Sequence, residues 1–173
     1  MSDQTLQAQP LTADSFAAFG EVIEMPGARQ IAINRGKCIR HHALATAQVS
    51  GPDPSVVISI FSASAYPLPH VLDLVERHPL GSQAFYPLGS DPWLVTVCED
   101  ENGVPGPPRA FLASPDQGIN VFPNTWHGVL TPLGSASDFL VVDRAGGGEN
   151  LEEFAIDKPW TIEVAEDLYV RFK

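Results

Sequence analysis

The side chains best suited to chemistry lie in one dense stretch of the sequence, residues 76–89. It places a carboxylate, a guanidinium, an imidazole and an amide within eight positions, at Glu76, Arg77, His78 and Gln83. On a strand alternate residues share a face, so Glu76 and His78 project to one side and Arg77 to the other. An imidazole can exchange protons near neutral pH, because it titrates unperturbed at about 6.5, and a carboxylate can act as a base where burial raises its pKa. The alternative is an exposed strand end before a turn.

Two further stretches contain ionisable groups at the ends of predicted strands. In residues 118–127 a Pro-Asn turn precedes Trp-His, which places the imidazole of His127 at the start of a strand. In residues 138–144 an apolar strand ends in Asp143 and Arg144, and only one of these neighbours can point inward. Each feature also has a structural alternative. His127 would then be a core histidine with its hydrogen bonds made within the fold, and Asp143 and Arg144 would form an ion pair at a strand end.

These groups need a scaffold, and the composition favours one made of short strands. Glycine and proline supply 14 and 16 of the 173 residues, which indicates frequent turns. Thr12 is expected to cap a short helix that runs through Phe19 and stops at Gly20. Strands are predicted at residues 31–33, 37–42, 55–64, 93–98, 110–112, 118–122, 129–133 and 139–143, with a last alternation at Leu168, Val170 and Phe172.

The remaining segments complete a picture of a single all-β domain over residues 1–173. Residues 1–10 are polar and expected to be flexible, whereas the apolar residues 55–64 are expected to form a buried strand. Residues 71–78 fit a helix or a strand, and residues 105–108 are interpreted as a stiff loop. The fold class predicted is a β-sandwich or β-barrel with one or two short helices.

The charge of the chain argues against several classes of partner. It carries 10 Lys and Arg against 21 Asp and Glu, a net charge of −11, which repels nucleic acids and anionic membrane surfaces. No apolar run approaches the roughly 18 residues of a membrane-spanning helix. The first residues lack signal-peptide features, and Cys38 and Cys98 form no disulfide framework, so we expect reduced, buried thiols in a cytoplasmic protein.

The two histidine-bearing stretches are similar to the paired motifs of cupin barrels. The first cupin motif presents two His, a Glu and a Gly, and the second a Gly, a Pro and a final His. The comparable positions here are Glu76, His78, Gln83 and Gly89, followed by Gly118, Pro123 and His127. The likeness favours a strand for residues 72–78, in a cupin-like β-barrel that encloses a pocket for one small ligand.

Longer strings of residues closely resemble the ureidoglycolate lyase family. They cover Glu76 to Leu88, Asn124-x-Trp126-His127, Asp138 to Arg144, and Asn34-x-Gly36 with Arg40 downstream. The resemblance runs from about Leu11 to Gly147. It implies cleavage of (S)-ureidoglycolate to glyoxylate and urea in allantoin breakdown, by a homodimer of cupin-like barrels.

That reaction has chemical requirements that the sequence can meet. The reacting carbon bears a hydroxyl and the urea nitrogen, so elimination needs a base for the hydroxyl and an acid for the nitrogen. A cation must hold the carboxylate. The candidate catalytic residues are His78, His127, Glu76 and Asp143, and the candidate substrate-binding residues are Arg40, Gln83, Asn34 and Arg144.

A divalent metal is a further candidate component of the site. His78, His127, Glu76 and Gln83 could ligate one, and the family resemblance suggests nickel. Against a metal, Gln is a poor replacement for a carboxylate ligand. The alternatives to the lyase are a metal-dependent cupin isomerase or oxygenase acting on another small carboxylate, and a non-catalytic barrel that binds one.

Three positions depart from the pattern of the family. Members often have a second His after Trp-His, an Asp near position 43 and a Gly after the Asp-Arg pair. This chain has Gly128, Ala43 and Ala145 there. The missing second His bears most on any role that needs two adjacent imidazoles.

Overall fold

Strands make up most of the described chain, and six of them, with 8–12 residues each, are longer than the short strands that the frequent turn residues predict. The computed structural model describes residues 4–172. The elements are β1 Gln4–Gln7, β2 Gln9–Pro10, α1 Ala13–Phe16, β3 Gly20–Ile23, β4 Gln30–Ile33, a 3-10 turn Asn34–Gly36, β5 Cys38–His41, β6 Ser55–Ala63, β7 His70–Arg77, β8 Gln83–Pro87, β9 Trp93–Glu101, β10 Val104–Ala113, β11 Gly118–Val121, β12 Trp126–Gly128, β13 Thr131–Pro132, β14 Ser137–Ala145, β15 Glu152–Glu163 and α2 Glu166–Arg171.

Two sheets form the barrel. The larger follows the order β1-β15-β7-β12-β9-β10-β2, with β13 added to β9, and the smaller follows β3-β11-β8-β14-β6. Strands β4 and β5 make a separate two-stranded sheet around the turn at Asn34–Gly36, as the sequence predicts. The architecture is an all-β, cupin-like fold. Among residues 4–172, no helix is long and apolar enough to cross a membrane.

One apolar core fills the space between the sheets. It takes buried side chains from both, because alternate residues of each strand face inward. They include Val95, Val97 and Phe111 from the larger sheet and Phe85, Val121, Phe139 and Val141 from the smaller. A second core covers the outer face of the larger sheet, where Leu72, Val75, Trp126 and Ile162 pack with Leu168 of α2. The larger sheet is therefore buried on both faces.

The two helices differ from their sequence interpretations. Thr12 caps α1 as predicted, through a capping box with Ser15, but α1 ends at Phe16 rather than Phe19. At the C-terminus the alternation of apolar residues suggested a strand, which is wrong, because residues 166–171 form α2. Leu168 is buried and Val170 is 63% exposed, so one turn of an amphipathic helix explains the same pattern.

Several strand predictions also need correction. Residues 4–7 and 9–10 are paired strands rather than flexible chain, and the rest of that prediction, residues 1–3, lies outside the described residues. Strand β6 exists, but it is an edge strand with mostly exposed side chains. The Pro-Gly-Pro-Pro segment 105–108 belongs to β10, where a register shift accommodates it. For residues 71–78, where the sequence fits a helix or a strand, the structure has strand β7, which ends at Arg77.

Candidate active site

Strand pairing brings the two histidine-bearing stretches together. β12 lies between β7 and β9, and His127 pairs directly with Glu76 across the β7–β12 ladder. Because paired residues in a sheet share a face, the imidazole of His127 lies on the same side as the carboxylate of Glu76. His78 follows β7 by one residue and joins them. Residues from two distant stretches of the sequence therefore form one cluster at the inner face of the larger sheet.

The cluster is tight enough for direct chemistry. The ring centroids of His78 and His127 are 5.4 Å apart. Glu76 Oε1 lies 3.6 Å from His78 Nε2, an ion-pair distance when the ring is protonated. One potential ligand atom from each of Glu76, His78 and His127 lies within 4.8 Å of those of the other two. Exposure falls from 24% for the Glu76 side chain to 4% for His127, so the cluster runs inward from the barrel mouth.

Backbone carbonyls orient both imidazole rings. His78 Nδ1 donates to the carbonyl oxygen of Asn150 at 2.7 Å, and His127 Nδ1 donates to that of Gly128 at 3.1 Å. A carbonyl only accepts, so the proton lies on Nδ1 in both neutral rings. Each Nε2 is buried and has no hydrogen-bond partner among the described residues. Both rings thus present to the cluster an Nε2 that makes no hydrogen bond, and the Nε2 of His78 has the Glu76 carboxylate 3.6 Å away.

The environment drives the pKa values of the two histidines apart. Burial lowers the pKa of His127 to about 4, which leaves this ring neutral at pH 7. Burial also opposes the charged form of His78, but the Glu76 carboxylate and the Asn150 carbonyl outweigh it and raise its pKa. The neighbouring His78 ring in turn lowers the pKa of Glu76. One imidazole is therefore suited to accept a proton and the other to donate one.

The smaller sheet adds two polar side chains on its inner face. Phe85 of β8 pairs with Val141 of β14, and both lie in the core between the sheets. Gln83 is two residues from Phe85 and Asp143 is two residues from Val141, so both side chains also face the space between the sheets. Gln83 Oε1 and Asp143 Oδ1 are buried without hydrogen-bond partners among the described residues. The charge of Asp143 acts on His78, which places this carboxylate beside the cluster.

The interior beyond His127 is too small for a substrate. A cavity of about 20 Å³ lies there, lined mainly by apolar side chains. That volume holds roughly one water molecule. A ligand with several heavy atoms must therefore contact the cluster from the mouth of the barrel, where Glu76 and His78 are partly exposed.

The side chains of Asp143 and Arg144 lie on opposite faces of β14. Asp143 points inward, whereas Arg144 points to the opposite face and donates to the backbone carbonyls of Ser50, Pro52 and Gly147. The distances from its guanidinium nitrogens to these oxygens are 2.6, 3.2 and 2.6 Å. This arrangement assigns Arg144 to anchoring two loops.

The two candidates from the hairpin, Asn34 and Arg40, lie apart from the cluster in the pairing scheme. Both are exposed, and β4 and β5 pair only with each other. No hydrogen bond or ion pair joins either residue to Glu76, His78 or His127 within the described chain. The structure thus brings together the catalytic candidates and Gln83, but not the candidate arginines.

The departures from the family pattern lie outside the cluster. Position 128 faces away from His127, and a Cβ there would lie 2.1 Å from Thr96 Oγ1. The Thr96 side chain occupies the space that a second imidazole at position 128 would need. The absence of that imidazole leaves the cluster of Glu76, His78 and His127 intact. Ala43 has a φ of 53°, a conformation that Asp adopts more readily than Ala. Ala145 ends β14 in an ordinary strand.

The sequence interpretation missed Asn150. Its carbonyl orients His78, and its Oδ1 accepts a hydrogen bond from the amide of Leu80 at 2.8 Å. Asn150 follows a glycine-rich loop, which has no periodicity to indicate a contact with the strand end at His78. A backbone carbonyl carries no signature in residue type, so only the three-dimensional path of the loop identifies this partner.

The cluster has the donor set of a divalent metal site. Two imidazoles with unpartnered Nε2 atoms and one carboxylate are suitable ligands for nickel or zinc. Metal-bound histidines commonly donate their other N–H to a backbone carbonyl, as both rings do here. The residues present therefore fit a metal, which Glu76, His78 and His127 would hold.

Comparisons with known proteins identify relatives over nearly the whole chain. The family model for ureidoglycolate lyase matches residues 3–163. A ureidoglycolate lyase of Chelativorans sp. (strain BNC1) is 55% identical over 92% of this chain and 96% of its own length. One from Mesorhizobium japonicum is 53% identical over 91% and 96%, and ureidoglycolate lyase 2 of Rhizobium meliloti is 51% identical over 92% and 98%.

Proposed function

The chain belongs to the ureidoglycolate lyase family, and we propose that it cleaves the C–N bond of (S)-ureidoglycolate to release glyoxylate and urea in allantoin breakdown. The observation that carries this proposal is the meeting of Glu76, His78 and His127 at the mouth of the barrel, with unpartnered nitrogen atoms on both rings. The reaction is an elimination, which needs one proton acceptor and one proton donor on either side of the reacting carbon.

The environments of the two imidazoles suggest their roles. His127 is neutral at pH 7, and its Nε2 lone pair accepts the proton of the substrate hydroxyl. The electrons of that O–H bond form the aldehyde C=O as the C–N bond breaks. His78, kept protonated beside Glu76, donates its Nε2 proton to the departing urea nitrogen. Glu76 is the group that favours the imidazolium, and Asp143 adds to its field.

Substrate binding in this proposal uses amides and one arginine. Gln83 faces the cluster with an unpartnered Oε1 that can accept a hydrogen bond from the ureido N–H groups. Arg144 is bonded to three backbone carbonyls, so Arg40 is the better candidate to hold the carboxylate, with Asn34 nearby on the same hairpin. We expect Arg40→Ala to raise KM more than it lowers kcat, whereas an unchanged KM would exclude Arg40.

As a second candidate use of the same cluster we propose a divalent metal, with nickel as the ion that the family resemblance suggests. Held by Glu76 and by the Nε2 atoms of His78 and His127, it would replace proton transfer by these two rings, and it would hold the substrate carboxylate and polarise the hydroxyl. Elemental analysis of the purified protein and glyoxylate assays with and without a chelator test this. Loss of activity that nickel restores would support a metal, and full turnover by metal-free protein would contradict it.

The partner in this proposal is a second copy of the chain. Val56, Ile58 and Ile60 share the outer face of the edge strand β6 and are 48%, 72% and 55% exposed. A long apolar edge strand without charges tends to pair with another chain. We expect a dimer by light scattering and a monomer for Ile58→Lys. An unchanged mass of that variant would exclude this face as the interface.

We place the protein in the cytoplasm. Cys38 is exposed and Cys98 is buried, and both are free thiols, which corrects the expectation that both are buried. An exposed free thiol suits a reducing compartment. Fractionation of cells that express the full chain tests this location, and recovery outside the cytoplasmic fraction would contradict it.

A coupled assay for glyoxylate, with urea measured in parallel, tests the reaction itself. We expect equimolar products, and we expect His127→Gln to lower kcat while the protein stays folded. His70→Gln is the matched control, because His70 is also buried but lies at the opposite end of β7. Normal turnover by folded His127→Gln would remove His127 from the mechanism. Stoichiometric iron with oxygen uptake would favour an oxygenase, and tight glyoxylate binding without turnover would favour a binding protein.

A further inference from the structure

The strand that carries His127 has little backbone pairing of its own. β12 contains only three residues, Trp126–Gly128, and it pairs with β7 at two positions and with β9 at two. A slip by one residue would turn His127 to the opposite face, since side chains alternate along a strand. Something beyond this short ladder must define its position.

A group of side chains on the opposite face of the sheet meets this need. We define the outer clamp as Arg77, Trp126, Asp100 and Glu152. The Arg77 guanidinium lies 4.3 Å from the Trp126 ring centroid. Its Nη1 bonds Asp100 Oδ1 at 2.7 Å, and its Nε bonds Glu152 Oε2 at 2.7 Å. Trp126 Nε1 donates to the same Asp100 Oδ1 at 2.9 Å, which closes a triangle.

The outer clamp joins four neighbouring strands. Arg77 lies on β7, Trp126 on β12, Asp100 on β9 and Glu152 on β15, and these strands are adjacent in the sheet. The Arg77 side chain is only 12% exposed. A guanidinium can stack on a ring and bond two carboxylates at once, which an ammonium group cannot reproduce.

Two members of the outer clamp, Arg77 and Trp126, are adjacent in sequence to residues of the inner cluster. Arg77 lies between Glu76 and His78, and Trp126 precedes His127. We propose that Arg77 is a positioning residue, which through Trp126 and Asp100 sets the register in which His127 meets Glu76 and His78. It touches none of the reacting atoms, because it faces the other side of the sheet.

Arg77→Lys tests the proposal, with Arg109→Lys as the matched control. Arg109 also lies over aromatic rings, 5.2 Å from Phe111 and 5.5 Å from Phe19, but on β10 and outside the outer clamp. Because displacement by about 1 Å can lower a rate about 100-fold, we expect Arg77→Lys to lower kcat by about 10- to 100-fold. KM should stay within about twofold, and Arg109→Lys should leave both constants unchanged.

The kcat measurement rests on the proposed function, so we add a second measurement that does not depend on that function. In protein labelled with ¹⁵N-histidine, we expect Arg77→Lys to shift the imidazole resonances of His78 and His127 but not those of His70, which lies at the far end of β7. If Arg77→Lys does not fold, Asp100→Asn perturbs the same triangle from its more exposed end, 36% exposed. If wild-type protein does not cleave ureidoglycolate, the proposed function fails and the resonances alone decide the positioning role.

The outcomes separate positioning from simple structural support. A lower kcat together with shifted His78 and His127 signals supports the proposal. A lower melting temperature with wild-type kcat and unchanged signals overturns it, because the outer clamp would then contribute only stability. A lower kcat with unchanged signals, or shifted signals with wild-type kcat, overturns it as well.

Discussion

The two faces of the larger sheet near residues 76 and 127 satisfy their polar groups in opposite ways. On the outer face, Arg77, Asp100 and Trp126 bond one another and leave a closed network. On the inner face, His78 and His127 each retain a buried nitrogen without a partner among the described residues. The same two strands supply both arrangements, from residues adjacent in sequence.

The difference indicates which face is built for stability and which for chemistry. A buried polar atom without a partner destabilises the fold by about 1–3 kcal/mol, so a cluster of such atoms is expected where a ligand completes them. The polar groups on the outer face have hydrogen-bond partners, and these bonds contribute directly to the stability of the fold. The comparison therefore predicts that inner-face substitutions change activity directly, whereas outer-face substitutions change stability, as at position 128, or act on activity through the position of His127, as at Arg77.

The largest expected effect is on the inner face, at Glu76. Glu76→Gln keeps the shape of the side chain but removes the carboxylate that favours protonated His78. We expect kcat to fall by about 10²- to 10⁴-fold, with no loss of thermal stability. Steady-state glyoxylate assays and thermal unfolding measure the two effects. Asp73→Asn, an exposed carboxyl on the same strand, is the control; equal losses in both variants would contradict a specific role.

The next effect is on the outer face, at Gly128. A Cβ at this position would overlap Thr96 Oγ1 at 2.1 Å. We expect Gly128→Ala to lower the free energy of unfolding by about 1–3 kcal/mol, measured by urea titration. Thr96→Ala in the same chain should restore much of it, and kcat of the double variant should remain near wild type. A kcat that stays low in the stable double variant would mean that position 128 influences the inner face.

A smaller and opposite effect on stability is expected at Gln83. Its buried Oε1 has no partner among the described residues, so Gln83→Met should raise the free energy of unfolding by about 1 kcal/mol while raising KM about tenfold. Gln117→Met provides the contrast, because Gln117 bonds Leu11, Glu24 and Ser114. That variant should lose stability. A loss of stability in Gln83→Met would show that Gln83 already has its partners.

The smallest effect concerns a buried histidine away from the cluster, His70. Burial lowers its pKa in the folded state, whereas the unfolded chain binds a proton near pH 6.5. Stability should therefore fall as the pH drops below about 6.5 and be unaffected above it. We expect His70→Gln to flatten this dependence in urea titrations at pH 8, 6.5 and 5.5. The same slope in both proteins would assign the acid sensitivity to other groups, such as His127.

Residue types and alternation predicted the sheet faces on which the cluster residues lie. Glu76 and His78 were expected on one face with Arg77 on the other, and the structure has them so. The hairpin around residues 34–36 followed from its turn residues. The edge position of β6 could not be predicted, because an apolar run looks the same whether a neighbouring strand covers it or not.

Local physics acts over a few residues, and within that range the sequence predicted most of the strands, the turn at residues 34–36 and the presence of ionisable side chains, although it assigned α2 to a strand and residues 105–108 to a loop. Which strands become neighbours depends on contacts between distant segments. The pairing of His127 with Glu76 and the outward direction of Arg144 therefore emerged only from the folded chain. So did the pKa difference between the imidazoles, because burial and the Asn150 carbonyl exist only after folding.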